Sequence, residues 1–348
     1  LDNEDILICK VGRAGHVTLN RPDTLNALTA DIAVRLEQAL DDWLADDDVA
    51  LIVIDATGQK AFCAGGDIAD LYARGKAGDY GFGQDFWRQE YRLNLKIATY
   101  SKPIVVFMQG FTMGGGVGVA CHASHRIVCE SSKIAMPECG IGLIPDVGGS
   151  FLLGRNAGEL GAYLGLTGTR MGAEDAIYAG FADCFVPEVE WAALKDGLIE
   201  TADVALIAQA AQSATDGELA GHAGEINRFF TSATLVEISD ALASSETEFA
   251  QATAKRLAKS SPLAMGCALG TIRAARTGGL KEALQREYRF TYRAQAQGDF
   301  IEGIRAQIID RDFAPKWQHT GFDVPQDDIE AMLADLGPDE WMETGIAT

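Results

Sequence analysis

Three short apolar runs, Leu51–Ala56, 104–109 and 126–129, constrain the fold more than any other feature of this chain. Each is too short for a buried helix, and the first two are rich in β-branched residues, so all three read as strands, Leu51–Ala56 being buried on both faces. Glycine-rich turns follow the first two: 60–67 leads into a helix from Ile68, and Met113-Gly-Gly-Gly116 opens a helix to about Ala123. Strand, glycine turn and helix, repeated, predict an α/β core of stacked ββα-like units. No repeat is visible in the sequence itself.

Residues 6–11 and 16–19 flank an Arg-Ala-Gly turn and read as a hairpin. Thr29 is placed to N-cap a helix to about Asp46, with Ile32, Leu36, Leu40, Trp43 and Leu44 on one face. A further helix covers 82–99 and ends before Lys102-Pro103. Beyond about Glu188 strands fade, and alanine-rich helices are expected at 191–200, 246–259, 263–277 and 280–296, with a last acidic helix in 323–335. The chain thus divides into a core over 1–190 and a helical C-terminal region over 191–348, and the polar stretch 213–224 is the best internal linker.

A formal charge of −21 disfavours nucleic acid or an anionic membrane as partner, since either requires a contiguous basic surface. The seven cysteines form no C-x-x-C pair and sit in apolar segments, as expected of reduced, buried thiols. His122 and His125 have helical spacing but lack a completing ligand set, so no metal is expected. The start, Leu1-Asp2-Asn3-Glu4-Asp5, shows no signal-peptide character. Residues 104–123 are uncharged and long enough to cross a bilayer, yet five glycines, Gln109 and Thr112 favour a buried strand, turn and short helix.

Within this apolar, glycine-rich region stand two acids eight residues apart, Glu138 and Asp146. Taken singly, Glu138 reads as a turn cap and Asp146 as the cap of the following helix. Together they suggest acid, base or nucleophile chemistry, because ionised carboxylates avoid apolar surroundings unless paired, bonded or shifted in pKa. The two glycine turns each present backbone N–H groups suited to an oxyanion. The spacing of Gly114, Gly116 and Gly118 does not complete a dinucleotide-binding motif, and Gly148-Gly149-Ser150-Phe151-Leu152 lacks the last glycine of a serine nucleophile elbow.

Leu19-Asn-Arg-Pro, Asn26-Ala-Leu, Ala61-Phe-Cys-Ala-Gly-Gly-Asp67, Gly114-Gly-Gly116, and Pro137-Glu138 followed by Val147-Gly-Gly149 resemble the enoyl-CoA hydratase/isomerase (crotonase) superfamily in order and spacing. The resemblance covers about residues 6–190 and implies a crotonase-like α/β core that binds acyl-CoA. Met136–Gly149, Arg88-Gln-Glu-Tyr-Arg-Leu-Asn94 and the segment from Glu302 to Trp317 extend it over most of the chain and are similar to the 3-hydroxyisobutyryl-CoA hydrolase family. Hydratases of the superfamily carry a second catalytic glutamate where this chain has Gly118, and a glycine is common where it has Asp146.

The resemblance implies hydrolysis of a short β-hydroxyacyl-CoA, a step of valine breakdown, needing no cofactor besides the CoA of the substrate. It implies Glu138 as nucleophile or general base, Asp146 assisting water or the leaving group, and Gly66 and Gly115 as oxyanion donors. Glu90 matches a substrate-contacting glutamate, although an ordinary solvated helix glutamate is an equal reading. CoA is expected along Cys63, Ala64, Gly65, Asp67 and Ile68, with Lys60, Arg21 or Lys316 near its phosphates. The alternatives are an enoyl-CoA hydratase or isomerase and a catalytically silent acyl-CoA binder. The superfamily commonly forms trimers or hexamers, and the expected location is the cytoplasm, or the mitochondrial matrix in a eukaryote.

Overall fold

A computed structural model describes residues 4–215 and 217–342; Leu1, Asp2 and Asn3 of the acidic start and Asp216 of the expected linker lie outside the described residues. The chain forms two compact units. The first comprises 1–67, 92–135 and 170–218, and the second 68–91, 136–169 and 219–348. The chain passes between them repeatedly, whereas the sequence suggests one boundary near residue 190. The reason is that the segments carrying Glu90, Glu138 and Asp146 group with the C-terminal helices.

The first unit contains nine strands among the described residues: β1 (Ile6–Val11), β2 (Ala14–Leu19), β3 (Leu51–Ala56), β4 (Ala61–Cys63), β5 (Ile104–Met108), β6 (Phe111–Met113), β7 (His125–Val128), β8 (Lys133–Ala135) and β9 (Cys184–Phe185). They form a six-stranded sheet of order β1-β2-β3-β5-β7-β9 and a three-stranded sheet of order β4-β6-β8. The β1–β2 pair is antiparallel and every other pair is parallel. Each predicted buried strand is thus followed by a three-residue strand in the second sheet, which completes the ββ part of the repeat. In sequence, 61–63 reads as part of the first glycine turn, Met113 as the start of the second, and Phe111 and Thr112 as no element, because three residues are too few for a visible period. The hairpin turn falls at Gly12-Arg13, and Ala14 and Gly15 belong to β2.

One face of the large sheet is built on Ala14, Leu51, Val53, Val105, Phe107 and Ile127, against which the helix Trp191–Thr201 packs Trp191, Leu194 and Leu198. Trp191 meets Phe107 edge-on at 5.2 Å and donates its indole N–H to Val186 O. Thr29 caps the helix Ala30–Leu44 as expected, accepting from Ile32 N at 3.2 Å. Of the cysteines, Cys9 is exposed and Cys184 half-buried, against the expectation of seven buried thiols, since β1 and β9 are the edge strands.

In the second unit the helix Pro262–Ala274 is buried over most of its length and packs against Gly149–Gly154, Leu160–Thr167, Leu280–Gln297 and Gln326–Leu333. Half of the expected linker is helical, because Leu219–Phe230 buries Leu219, Ile226, Phe229 and Phe230. The charged motif near residue 305 is an ion-pair fan: Arg305 reaches Glu302 at 2.8 Å and Asp310 and Asp312 at 2.7 Å each. No helix among the described residues is long and apolar enough to cross a membrane; residues 104–123 hold β5, β6 and the helix Gly115–Ala120.

The two glycine turns of the first unit touch. A Cβ on Gly116 would lie 2.2 Å from Cys63 O and 2.9 Å from Cys63 Cβ. Gly116→Ala is therefore expected to destabilise the protein by about 1–3 kcal/mol, while Gly81→Ala, on an open helix surface with nothing within 4 Å of the added methyl, is neutral or stabilising by up to about 1 kcal/mol. Thermal unfolding of both variants checks this; equal melting temperatures would contradict the packing.

Candidate active site

Glu138 begins the single turn Glu138–Ile141, and Asp146 lies just ahead of the helix Gly149–Gly154. The loop joining them is shaped by local constraints. Leu143 N donates to Glu138 O at 3.1 Å, and Gly142 takes a left-handed φ of 74° where a Cβ would strike the Asp299 backbone at 2.6 Å. After Asp146, Val147 (φ 52°) and Gly148 (φ 78°) are both left-handed, and Gly149 N closes the turn on Asp146 O at 2.6 Å. Such a conformation costs a β-branched residue like Val147 roughly 1–3 kcal/mol, so the surroundings must hold it.

Both acids are buried, Glu138 at 5% and Asp146 at 4% exposure. The reading of Asp146 as a helix cap is not what forms: Gly148 occupies the cap position. The Asp146 carboxylate instead accepts the Tyr91 hydroxyl at Oδ2, 2.8 Å away, and Tyr91 Oη also lies 3.4 Å from Thr291 Oγ1. Glu90, beside Tyr91 on the helix Tyr80–Ala98, is 2% exposed. Its reading as a solvated glutamate is thereby corrected; the preceding aromatic residues Phe86 and Trp87 mark the buried face on which it falls. Glu90 Oε1 and Glu138 Oε2 are buried with no hydrogen-bond partner among the described residues.

A fourth acid completes the cluster. Glu287, on the helix Leu280–Gln297, is fully buried and accepts Gly148 N at 2.7 Å and Ser150 N at 2.9 Å, together with a very short bond from the Ser150 hydroxyl. Glu287 lies in none of the motifs, and Tyr91, although within Arg88–Asn94, is given no role there. Glu287 does leave a trace in sequence, since it falls on the apolar stripe Leu280, Ala283, Leu284, Tyr288, Thr291 where a charged residue is out of place.

Burial disfavours the ionised form of all four acids, and Glu90, Glu138 and Glu287 also feel the negative charge of Asp146. Burial first, then the Asp146 charge, holds the Glu138 and Glu90 carboxyls well above the usual range. Asp146 is pushed up to about 7 by burial, against the opposing Tyr91 hydrogen bond. Glu287 is pushed up to about 8 by burial, opposed by its Ser150 and Gly148 donors. Asp146 and Glu287 thus hold protons near neutrality and release them within the working range of an acid–base catalyst.

In the first unit Leu28 brackets Gly66, with Leu28 N donating to Gly65 O and Asp67 N to Leu28 O; neither bond uses the Gly66 N–H. Gly115 is the first residue of its helix, where N–H groups lack acceptors within the helix. Ala64 N is tied to Leu25 O at 3.0 Å. Arg21 is engaged by Asp67 at 3.0 Å and Asp5 at 3.3 Å. Lys60 lines a surface cavity with Leu25, Gly110, Phe111 and Lys133, and Lys316, in the second unit, is exposed. Among the described residues no group of three or more His, Cys, Asp or Glu is arranged to hold a metal ion.

Comparison with known proteins bears on this site. Residues 14–333 match the family model described as enoyl-CoA hydratase/isomerase. The chain is 39% identical to a 3-hydroxyisobutyryl-CoA hydrolase, mitochondrial, of Danio rerio, over 90% of this chain and 85% of that protein. It is 36% identical to the protein of the same name from Homo sapiens, over 96% and 89%. Among solved structures, an enoyl-CoA hydratase from Rhodobacter sphaeroides 2.4.1 superposes with a TM-score of 0.94 at 52% identity, covering 98% of this chain and 100% of that one. A carnitinyl-CoA dehydratase from Mycobacterium thermoresistibile gives 0.93 at 38%, covering 98% and 99%. This chain belongs to the enoyl-CoA hydratase/isomerase family.

Proposed function

We propose that this protein hydrolyses a short β-hydroxyacyl-CoA thioester, 3-hydroxyisobutyryl-CoA, to the free acid and CoA, as a step of valine breakdown. The observation that carries the reading is the buried carboxylate cluster, in which Glu138 and Asp146 share a constrained loop and Glu90 stands beside the tyrosine that bonds Asp146. The names of the curated relatives support the substrate, and the word mitochondrial in them supports the matrix as the location of a eukaryotic member.

In this reading the N–H groups of Gly66 and Gly115 hold the thioester oxygen, and the stretch Cys63, Ala64, Gly65, Asp67 and Ile68 receives the CoA. Glu138 acts on the carbonyl carbon. As nucleophile it forms a C–O bond while the C–S bond breaks and the thiolate takes a proton, leaving a mixed anhydride that water opens. As general base it takes a proton from water, which attacks directly. Asp146 assists the water or the leaving thiolate in either route. Glu90 Oε1, buried without a protein partner, accepts the substrate hydroxyl. The chemistry requires no metal or other cofactor.

A hydratase reading is favoured by the name of the 52% identical solved structure. Against it stands Gly118, at the position where the superfamily's hydratases place a second glutamate. Two incubations separate the readings: thiol release from 3-hydroxyisobutyryl-CoA is expected, and hydration of crotonyl-CoA without thiol release would reject hydrolysis.

Glu138→Gln is expected to lower kcat by about 10²–10⁴-fold and Asp146→Asn by about 10²-fold or more, with CoA affinity within about threefold of the parent. Steady-state kinetics paired with calorimetric binding test this; affinity falling in step with rate would show that the acids bind the ligand and do not drive chemistry.

The raised carboxyl values also set a stability trend. The folded protein retains protons that the unfolded chain sheds from about pH 4 upward. Their contribution is therefore full at low pH and is lost as pH rises toward the about 7 of Asp146 and the about 8 of Glu287. Glu138→Gln, which removes one titrating acid, should flatten the fall in melting temperature between pH 5 and 8; an unchanged slope counts against a protonated Glu138 in the free protein.

A further inference from the structure

Glu287 is the one member of the cluster to which the proposed reaction gives no task, and its bonds are specific. The helix Gly149–Gly154 has a glycine at its N-cap, so no side chain of its own serves the buried N–H groups of its first turn. Glu287 serves them from a distant helix: one carboxylate oxygen accepts Gly148 N, and the other accepts Ser150 N and the Ser150 hydroxyl. These bonds close on the segment immediately after Asp146, where Val147 and Gly148 are both left-handed. Tyr91 meets the same segment from the other side through Asp146 Oδ2.

We propose that Glu287 is a positioning residue for the reaction: by clamping Gly148 and Ser150 it holds the left-handed turn that aims the Asp146 carboxylate. This rests on the role given to Asp146 above. Three features distinguish the clamp from ordinary packing. Its two oxygens are separately engaged, so the turn is fixed at two main-chain points. It holds Val147 in a conformation that a β-branched residue does not adopt unaided. Finally, it is an acid at 0% exposure in a unit with three other buried acids, Glu90, Glu138 and Asp146. An apolar side chain of the same size would fill the space but leave the buried Gly148 and Ser150 N–H groups without this acceptor, so filling space does not explain the acid here.

The clamp makes a prediction that a purely structural role does not. Glu287→Gln preserves volume but presents an amide NH₂ to one of the two main-chain donors, releasing one end of the turn. Because misplacement of a reacting group by about 1 Å can cost about a hundredfold, kcat is expected to fall about ten- to a hundredfold with KM within about threefold. The decisive measurement is a double-mutant cycle with Asp146→Asn. If Glu287 acts through Asp146, adding Glu287→Gln to Asp146→Asn lowers kcat by no more than about threefold further. Ser150→Ala, which keeps both main-chain bonds, should show the same pattern at about three- to tenfold and closes the cycle if Glu287→Gln does not accumulate as folded protein.

Full multiplication of the two effects would overturn the proposal, as would a lowered melting temperature with unchanged kcat. Should Asp146→Asn itself keep the parental kcat, the role of Asp146 falls and this inference with it. A multiplicative cycle built on an impaired Asp146→Asn removes only the part assigned to Glu287.

Discussion

Four carboxylic acids buried within one helical unit are the constraint around which its local structure is organised. An acid removed from water loses hydration worth several kcal/mol, and like charges nearby add to the cost. Moving Asp146 from its ordinary range to about 7 corresponds to roughly 4 kcal/mol against its ionised form. Each acid is met differently. Asp146 receives a phenol, Glu287 receives two amides and a hydroxyl, and Glu90 and Glu138 each keep one oxygen with no protein donor. In the reading proposed, the oxygens of Glu90 and Glu138 that have no partner among the described residues would meet the substrate hydroxyl, water or carbonyl carbon.

The backbone around these acids follows from the same demand. Two carboxylates eight residues apart in sequence cannot share a buried cluster on regular helix or strand, where the intervening run would carry them roughly 12 Å or 26 Å apart. The chain folds back through Gly142 at φ 74° and turns again at Val147 and Gly148. Glycine relieves the first turn and half of the second. Val147 receives no such relief, which explains why a buried acid on another helix is bonded to the two residues that follow it closely.

The sequence carried five of the six strands of the first sheet, because β1 and β2 flank a turn and β3, β5 and β7 are long enough to show as apolar runs, whereas β9 has only two residues. It did not carry β4, β6 and β8, since three residues show no period and their place is set by pairing with one another. Glu138 and Asp146 were legible as acids in an apolar stretch. Glu90 was ambiguous because Arg88, Gln89 and Arg92 around it are polar, and only its neighbours Phe86, Trp87 and Tyr91 mark the buried face. Tyr91 and Glu287 lie outside the segment that holds Glu138 and Asp146, and their partnership with it is a fact of helix packing that no local pattern encodes. The grouping of 136–169 with the C-terminal helices is likewise set by contacts distant in sequence, which no local pattern near residue 190 displays.

Burial that is costly to the fold is what suits these acids to a thioester. A solvated carboxylate, protonated only near pH 4, is a weak base at neutral pH and a nucleophile shielded by its own hydration. Raised to about 7, an acid is present in both protonation states where the protein works, so it accepts and returns a proton without a large penalty in either direction. A nearby acid of the same kind gives the proton somewhere to reside between steps. Hydrolysis needs both halves of that exchange, because the attacking water loses a proton and the departing thiolate gains one. In the hydrolysis proposed, Asp146, on the turn bonded at Gly148 and Ser150, and Glu138, on the preceding turn, would supply the two protonation states from a single short loop.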